Sequence, residues 1–398
     1  MPADRPASDK TAREHDIVVF GATGFTGELT AAYLAQHAPE GLRWALAGRN
    51  QSKLEAVRAR LAQTDPALAE LPLLHADSSD DASLRAVAAS TRVVITTVGP
   101  YLQYGEPLVA ACAAAGTDYV DLTGEPEFVD RMYLQHHDEA VATGARIVHA
   151  CGFDSIPHDL GAWFTVQQLG SSDPITLRGV VRAGGTPSGG TFHSALGAIS
   201  RAKQMRDAMV ARRKKEGRPA GRKSRAVAGK PHRDRTLGLW LLPLPTIDPF
   251  VVARSGAALD SYGPDFRYSH YAGLKTLRYT LGGAAAVSGL VVAAQIPPVR
   301  NFLKSKVKQG EGPSERRREK SWFTVDFVGE SAGRTVHTRV SGGDPGYTET
   351  AKMLAESAMC LVLDDNPETA GQVTTATAMG EHLLERLRNA GIRFETLR

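Results

Sequence analysis

Residues 16 to 50 read DIVVFGATGFTGELTAAYLAQHAPEGLRWALAGRN, and this stretch decides the fold. It opens with a nearly continuous apolar run, which is typical of a parallel strand buried on both faces. A glycine-rich turn and a helical pattern follow, and residues 43 to 47 predict a second strand. A strand, a glycine-rich turn, a helix and a second strand within about 30 residues form the βαβ unit of a dinucleotide-binding domain.

The glycines of the turn have separate tasks. Gly21 permits a tight turn after the strand, Gly24 lets backbone amides approach a pyrophosphate, and Gly27 allows the helix to pack closely on the sheet. The helix N-terminus then presents amide groups and a partial positive charge to the phosphates. The cofactor-binding residues predicted in this turn are Gly21, Thr23, Gly24, Phe25, Thr26 and Gly27.

The end of the second strand indicates which dinucleotide binds. An NAD site usually has an acidic residue there that accepts a hydrogen bond from the ribose, but this chain has Arg49, followed by Ser52 and Lys53. A guanidinium can bind a 2′-phosphate through several N–H groups, and a hydroxyl and a second cation can add to it. We therefore expect NADP(H). The alternative is that Arg49 and Lys53 are solvated residues at a helix start.

Strands and helices continue to alternate as far as residue 150. Further apolar runs typical of buried strands occur at residues 71 to 75, 93 to 98, 119 to 122 and 146 to 150. The fold class predicted for residues 15 to 150 is α/β, a Rossmann doubly wound parallel sheet of about six strands, preceded by a disordered tail at residues 1 to 14.

Two turns after these strands hold further candidate residues, because doubly wound sheets bind ligands at the carboxyl ends of their strands. Asp77 follows the third strand, where it either contacts the adenine end of the cofactor or caps the next helix. Gly99, Pro100 and Tyr101 follow the fourth strand and are predicted near the nicotinamide. Tyr101 either donates a proton in the reaction or packs beneath the nicotinamide ring.

Composition narrows the class of protein. Of the 398 residues, 42% are apolar and 23% are charged, with a net charge of +4, which is typical of a soluble globular protein with two or three domains. Cys112, Cys151 and Cys360 are too far apart for a disulfide framework or a CxxC metal site, so no metal centre is predicted. Met1 to Glu14 contains no apolar signal segment, and we expect a cytoplasmic protein.

Seven motifs extend the pattern over nearly the whole chain. They are GATGFTG at 21 to 27, WALAGRN at 44 to 50, TTVGPY at 96 to 101, DYVDLTGE at 118 to 125, CGFDSIPHDLG at 151 to 161, SGGT at 188 to 191 and TATAMGEHLLERLRNAGIRF at 375 to 394. In this combination the chain resembles the saccharopine dehydrogenase-like oxidoreductases, and among them the actinobacterial trans-acting enoyl reductases.

The resemblance implies three parts: the NADP-binding domain, a second α+β domain with a mixed or antiparallel sheet over residues 151 to 345, and C-terminal helices over residues 346 to 398 that pack back on the first domain. Local patterns agree with this order. They predict strands at 177 to 183 and 250 to 254, a hairpin of strands at 322 to 328 and 334 to 340, and helices at 347 to 363 and 373 to 389.

The resemblance also implies NADPH-dependent reduction of an enoyl group on a polyketide or fatty-acyl chain bound to an acyl-carrier domain or to CoA. Such an enzyme delivers hydride to the β-carbon, stabilises the enolate oxygen and lets a proton reach the α-carbon. The catalytic candidates are Tyr101, Asp154 and His158, the last two on the segment predicted to open onto the cleft between the domains. The alternative is a plain helix start there, with Ser155 as its cap and Pro157 in its first turn.

A basic insert occupies residues 201 to 235, which hold 14 Lys and Arg against three acidic residues. Residues 211 to 230 are poor in large apolar side chains and predict a mobile loop. The loop either docks an acidic acyl-carrier domain, approaches anionic lipid or is merely solvated. Nucleic acid is not an expected partner, because no aromatic residues interleave the charges. Residues 184 to 191 are glycine-rich and form either a ligand contact or a flexible turn.

An uncharged apolar segment runs from residue 281 to residue 296. It is shorter than the roughly 20 residues of a membrane-spanning helix, so a buried or interfacial helix is predicted. Basic residues on both sides suit peripheral contact with the inner face of the membrane. Three other functions stay open: an amino-acid or imine oxidoreductase, a ketoreductase, and a non-catalytic NADP-binding protein at a lipid surface. A homodimer is also an open expectation.

Overall fold

The computed structural model describes residues 10–185, 196–197, 199–217, 219–306 and 312–397, which form two sheets with helices. The strands of the first sheet are β1 (His15–Phe20), β2 (Trp44–Gly48), β3 (Leu73–His75), β4 (Thr91–Thr96), β5 (Asp118–Asp121), β6 (Arg146–Val148) and β14 (Gly371–Val373). All seven are parallel, in the order β14-β6-β5-β4-β1-β2-β3. The predicted Rossmann sheet is confirmed.

Six helices belong to this part of the chain: α1 (Phe25–His37), α2 (Gln51–Thr64), α3 (Asp81–Ser90), α4 (Tyr101–Tyr104), α5 (Glu106–Ala115) and α6 (Pro126–Thr143). Strand residues alternate between the two sides of the sheet. Ile17 and Val19 share one apolar core with α1 and α2, whereas Val18 and Phe20 share the other with α3, α5 and α6. This explains the nearly continuous apolar run of β1, because both of its faces are covered.

The second sheet has eight strands and is mixed. The strands are β7 (Ile175–Gly184), β8 (Lys223–Ala226), β9 (His232–Arg233), β10 (Trp240–Pro243), β11 (Asp265–Leu274), β12 (Trp322–Ser331), β13 (Arg334–Gly342) and β15 (Arg393–Thr396). Its main path is β15-β13-β12-β7-β11-β10-β9, with β8 beside β11. The predicted hairpin is the antiparallel pair β12–β13, and the strand predicted at 177 to 183 is β7.

The remaining helices are α7 (Ile156–Leu169), α8 (Ala202–Glu216), α9 (Asp248–Ala258), α10 (Leu277–Gln295), α11 (Pro297–Lys306), α12 (Glu315–Arg318), α13 (Thr348–Leu363), α14 (Thr375–Ala378) and α15 (Gly380–Asn389). Three 3₁₀ turns lie at Lys10–Ala12, Pro66–Glu70 and Asp260–Tyr262. Helices α7 and α9 pack on the second sheet. Helix α13 packs on α1 and on the first sheet, where Met353 and Leu354 share a core with Ile17.

Two secondary-structure predictions in the C-terminal half are wrong. Residues 250 to 254 lie in helix α9 and not in a strand, because Pro249 occupies its first turn and Val251, Val252 and Ser255 form its buried face. The helix predicted from residue 373 is divided: residues 371 to 373 add strand β14 to the first sheet, and Met379 separates α14 from α15.

The end of the predicted disordered tail is attached to the first sheet. Residues 10 to 12 form a 3₁₀ turn, and the Nζ atom of Lys10 lies 2.7 Å from a carboxylate oxygen of Asp118 on β5. Regular structure therefore begins before residue 15, at Lys10. The residues that precede Lys10 lie outside the described part of the chain.

Much of the basic insert has regular secondary structure, which corrects the predicted mobile loop at residues 211 to 230. Residues up to Glu216 form helix α8, and β8 pairs with β11. Arg212 is buried, with an Nη1 atom 3.2 Å from a carboxylate oxygen of Asp130 and its guanidinium 4.1 Å from the ring centroid of Tyr133. Arg212 is therefore held by contacts with α6, whereas the composition predicts a solvated side chain.

The apolar segment at residues 281 to 296 lies almost entirely within helix α10. Among the described residues, no helix combines the length and the hydropathy needed to cross a bilayer.

Candidate active site

The glycine-rich turn after β1 forms an open backbone cradle. A Cβ atom on residue 27 would lie 2.2 Å from the carbonyl oxygen of Gly21, so that only glycine fits beneath the turn. Gly21 itself has a φ of 87°, which glycine adopts without strain. Gly24 is the N-cap of α1 and supplies no side-chain cap, which leaves the first amides of the helix to an external acceptor. This geometry fits a diphosphate.

The other predicted residues of the turn are half-buried. The carbonyl of Thr26 accepts a hydrogen bond from the hydroxyl of Thr30, at 2.9 Å, and Thr23 lies at the surface of the turn. The ring of Phe25 packs edge-on against Tyr347, with centroids 5.0 Å apart. Phe25 therefore joins the cofactor turn to the segment that leads into α13.

The residues predicted for the 2′-phosphate lie together after β2. Arg49, Ser52 and Lys53 are exposed, and the side chain of Asn50 caps α2 by accepting a hydrogen bond from the amide of Lys53 at 2.9 Å. Their cationic side chains therefore face solvent at the carboxyl edge of the sheet, where a 2′-phosphate can reach them.

Asp77 lies beside this group. Its carboxylate accepts hydrogen bonds from the amide and the hydroxyl of Ser79, at 2.9 and 2.7 Å, and these bonds, helped by the charge of Arg49, lower the pKa of Asp77. The alternative that Asp77 caps the next helix is wrong, since Asp80 is the residue that caps α3.

Tyr101 occupies a buried position after β4. Its hydroxyl donates to the carbonyl of Thr96 and accepts from the amide of Leu122, both at 3.2 Å. Burial raises the pKa of Tyr101 well above its ordinary value. Gly99 and Pro100 form the turn before it, and the carboxylate of Glu125 accepts from the amide of Tyr101 at 3.1 Å. The phenol thus joins the ends of two strands.

Asp154 follows β6 at the carboxyl edge of the same sheet. It is half-buried, and its Oδ1 atom lies 3.6 Å from the position that a Cβ on residue 124 would take. Burial raises the pKa of Asp154 to about 7, the negative charge of Asp248 adds to this effect, and His158 opposes it. Asp154 is therefore a carboxyl group that can carry a proton near neutral pH.

His158 is buried in the first turn of α7, where it meets residues from two other elements. Its Nδ1 atom lies 2.9 Å from Oδ1 of Asp248, the first residue of α9. His270 on β11 has its Nε2 atom 3.7 Å from the other carboxylate oxygen of Asp248, and its ring is 4.9 Å from that of His158. The alternative of a helix start is confirmed in position, since Ser155 is the N-cap residue of α7 and Pro157 lies in its first turn, although the Ser155 hydroxyl makes no cap hydrogen bond.

Sequence reasoning missed Asp248 and His270. Asp248 precedes a proline and lies just before a stretch whose composition predicts a strand. The start of a helix at Asp248 could therefore not be predicted from the sequence. His270 did carry a signal: it continues the alternation of Phe266 and Tyr268 along β11, and is a polar residue on an otherwise aromatic buried face. A polar residue at such a position needs a partner.

Asp159, one residue after His158, is part of the framework. Its carboxylate accepts hydrogen bonds from the hydroxyl of Ser255 at 2.5 Å, the hydroxyl of Thr375 at 2.7 Å and the amide of Ala376 at 2.9 Å. It thereby connects α7 with α9 and α14. Cys151 is buried and burial raises the pKa of its thiol, which agrees with its interpretation as a small core residue.

Part of the basic insert is neutralised by α6. Besides Arg212, the guanidinium of Arg201 lies 2.5 Å from Glu127, and Lys215 lies 2.8 Å from Asp138. Besides Lys215, the exposed cations of the insert helix are Lys203, Arg206, Arg213 and Lys214. In the glycine-rich segment at 184 to 191, Gly184 ends β7, and the SGGT motif lies outside the described residues.

Comparison with known proteins agrees with an NADP-binding domain in the first part of the chain. Residues 17–148 match the sequence family described as the saccharopine dehydrogenase NADP binding domain. A Mycobacterium tuberculosis protein that carries the name of a trans-acting enoyl reductase is 39% identical over 420 residues, with 98% of this chain and 99% of that protein covered. The trans-acting enoyl reductase of Mycobacterium bovis is 36% identical over 418 residues, with coverage of 97% and 98%.

The fold has a solved counterpart. Saccharopine dehydrogenase (L-Glu forming) from Saccharomyces cerevisiae superposes with a TM-score of 0.56 at 13% identity, over 96% of this chain and 100% of the yeast chain. Together with the open cradle after β1 and the cations after β2, these likenesses identify the cofactor as NADP(H). The chain belongs to the trans-acting enoyl reductase family of saccharopine dehydrogenase-like proteins and is an NADP-dependent oxidoreductase.

Proposed function

We propose that this oxidoreductase reduces the α,β-double bond of a polyketide or fatty-acyl thioester carried by an acyl-carrier domain or by CoA, in lipid biosynthesis. The observation that carries the proposal is the position of Asp154. This carboxyl group, with a pKa raised to about 7, lies at the same edge of the sheet as the dinucleotide cradle. The names of the relatives support the enoyl substrate class.

The cofactor is held by the residues predicted from the sequence. The amides that follow Gly24 bind the diphosphate, and Arg49, with Ser52 and Lys53, binds the 2′-phosphate. Asp77 lies beside Arg49 and limits the space around the adenosine. Gly99 and Pro100 line the nicotinamide end, which Tyr101 supports from below through its bonds to Thr96 and Leu122.

Reduction of an enoyl group consumes one hydride and one proton. When bound, NADPH supplies the hydride to the β-carbon, and the proton ends on the α-carbon. Asp154 is the group that we assign to deliver this proton, since its protonated form is populated near neutrality and its half-buried side chain can be reprotonated from solvent. His158 has a positioning role, because its ring is buried against Asp248 and Phe153.

Tyr101 is not retained as the acid. Its hydroxyl already donates one hydrogen bond and accepts another within the framework, and burial raises its pKa well above the range in which a phenol exchanges protons near neutral pH.

The carrier is proposed to dock on helix α8. Lys203, Arg206, Arg213 and Lys214 are exposed on this helix, and an acidic carrier domain complements them. Peripheral contact with anionic lipid has separate support on α10 and α11, where Tyr279 and Phe302 are 68% and 60% exposed. In the sequence Tyr279 follows Arg278, and Phe302 lies two residues after Arg300, a combination of aromatic and basic residues that suits a membrane surface.

The test uses NADPH labelled with deuterium at the transferred position, and crotonyl groups on pantetheine, on CoA and on an acyl-carrier domain. The expected product is the saturated thioester with one deuterium at the β-carbon, detected by mass spectrometry. Consumption of NADPH only with keto or imino substrates would contradict enoyl reduction. NADPH binding without turnover of any substrate would support the non-catalytic alternative instead.

A further inference from the structure

We propose that His158, Asp248 and His270 form a binding site for a divalent transition-metal ion, with Zn²⁺ as the best match. Two imidazoles and one carboxylate are ligands that zinc prefers. One ligand atom from each residue lies within 4.8 Å of the others, and all three residues are buried. They come from three separate elements, α7, α9 and β11, so the fold alone brings them together.

The distances are close to those of a metal centre. Ligand atoms bonded to zinc at about 2.0–2.2 Å in a tetrahedral arrangement are separated by roughly 3.3–3.6 Å. Nδ1 of His158 is already 2.9 Å from Asp248, and Nε2 of His270 is 3.7 Å from it. Side-chain movements of about 1 Å would therefore bring the three atoms around one ion, within the freedom of ordinary rotamer adjustment.

A second observation points to an ion. Within the described part of the chain, Nε2 of His158 is buried without a hydrogen-bond partner, and Nδ1 of His158 and Oδ1 of Asp248 are buried 2.9 Å apart without meeting in good hydrogen-bond geometry. Leaving a buried polar atom without a partner costs about 1–3 kcal/mol, and such atoms often mark the position of a bound water or ion. A single cation would satisfy a nitrogen of His158 and the carboxylate together.

The surroundings of His270 resemble the support that a metal-bound imidazole usually has. Its Nδ1 atom lies 3.1 Å from the hydroxyl of Tyr268, which fixes the ring and leaves Nε2 directed toward Asp248. Metal-binding histidines commonly hold their second nitrogen through such a hydrogen bond. The ring of Phe153 packs edge-on against His158, with centroids 5.4 Å apart, and gives the site an apolar wall.

Three protein ligands leave one position of a tetrahedral ion for water or for a substrate oxygen, which is typical of catalytic and not of structural zinc. The site is close to Asp154, whose pKa is influenced by both Asp248 and His158. No ligand spacing is visible in the sequence, since Asp248 and His270 lie far along the chain from His158. The inference does not depend on enoyl reduction, because ion binding is measured without turnover.

The experiment uses the full-length protein, stripped with EDTA and then equilibrated with Zn²⁺ alone. We expect one zinc ion per chain by elemental mass spectrometry, and a visible absorption band of four-coordinate metal after substitution with Co²⁺. Asp248→Asn and His270→Gln should each reduce zinc retention after gel filtration at least tenfold. Circular dichroism and NADPH binding by the first domain report whether each variant is folded.

The matched control is His337→Gln. His337 lies on the same sheet as His270, and its Nε2 atom is 2.8 Å from a carboxylate oxygen of Asp326. Within the described residues, this pair belongs to no group of three potential metal ligands. The control should retain zinc like the wild type. Three outcomes would overturn the proposal: wild-type protein without stoichiometric zinc, folded Asp248 and His270 variants that keep it, or a Co²⁺ spectrum with thiolate bands. The spectrum of the wild type decides the matter even if a variant fails to fold.

Discussion

Asp154→Asn separates the effect of this carboxyl group on the stability of the fold from its role in proton transfer. Asparagine keeps the shape of the side chain and removes its ionisation. A carboxyl whose pKa is higher in the folded chain than in the unfolded chain binds more protons when folded, so stability falls as the pH rises through that interval. The loss of stability is absent below a pH of about 3.8, increases up to a pH of about 7 and is constant above that.

The magnitude follows from the same two values. The interval between 3.8 and about 7 corresponds to about 4 kcal/mol at about 1.36 kcal/mol per pH unit. Because Asp154 is half-buried, solvent screening reduces the expected effect to roughly 1–3 kcal/mol. In protein stripped with EDTA, Asp154→Asn should therefore be more stable than the wild type at pH 8, by this amount, and nearly equal to it at pH 4.

Activity should change in the opposite direction. Loss of a general acid lowers kcat by roughly 10²- to 10⁴-fold, whereas the Kd of NADPH should stay unchanged because the cradle is intact. In the wild type, kcat/KM should fall as the pH rises above about 7, since the protonated form of Asp154 is the active one.

The assays are urea unfolding followed by circular dichroism at pH 4, 6 and 8, and single-turnover reduction of a crotonyl thioester. Asp365→Asn is the control, because this aspartate is exposed in the loop after α13. A variant at Asp154 that gains no more stability at pH 8 than the control would refute the assignment of a raised pKa. Unchanged turnover would remove Asp154 from the proton transfer.

Three further predictions concern the cradle, the 2′-phosphate site and the framework. Gly27→Ala should abolish NADPH binding in fluorescence titration, since its methyl group would lie 2.2 Å from the carbonyl of Gly21; tight binding would show that the turn is not the site. Arg49→Ala should raise the Kd of NADPH by roughly 10- to 100-fold and leave that of NADH unchanged, whereas an equal loss for both would contradict 2′-phosphate binding. Asp159→Ala should lower the free energy of unfolding by about 2–4 kcal/mol by leaving buried donors such as the Thr375 hydroxyl unpaired, and a loss below about 1 kcal/mol would contradict this.

The first domain could be predicted because its signals are local. The apolar run of β1, the glycines of the turn and the amphipathic start of α1 lie within about 20 residues, and each satisfies the same geometry. The cofactor residues follow from that geometry, since carboxyl ends of parallel strands meet at one edge. Arg49 and Asp77 accordingly lie side by side, although their strands are separated by a helix.

The second domain was harder to predict because its partners are distant in sequence. Phe250 to Arg254 has the composition of a strand, and only the buried face formed with α7 and the second sheet makes it helical. The insert appeared solvated because Asp130 and Tyr133, which hold Arg212, lie on a helix much earlier in the chain. The same separation hid the contact of His158 with Asp248, although His158 itself was a candidate.

Strand β14 has a consequence for synthesis on the ribosome. It adds residues 371 to 373 to the edge of a sheet that otherwise consists of β1 to β6, and α13 covers one face of that sheet. The nascent nucleotide domain therefore emerges with an unpaired edge and with part of one apolar face uncovered, and stays so until α13 and β14 have been translated. Chaperones that shield such surfaces during elongation would be expected to bind this intermediate.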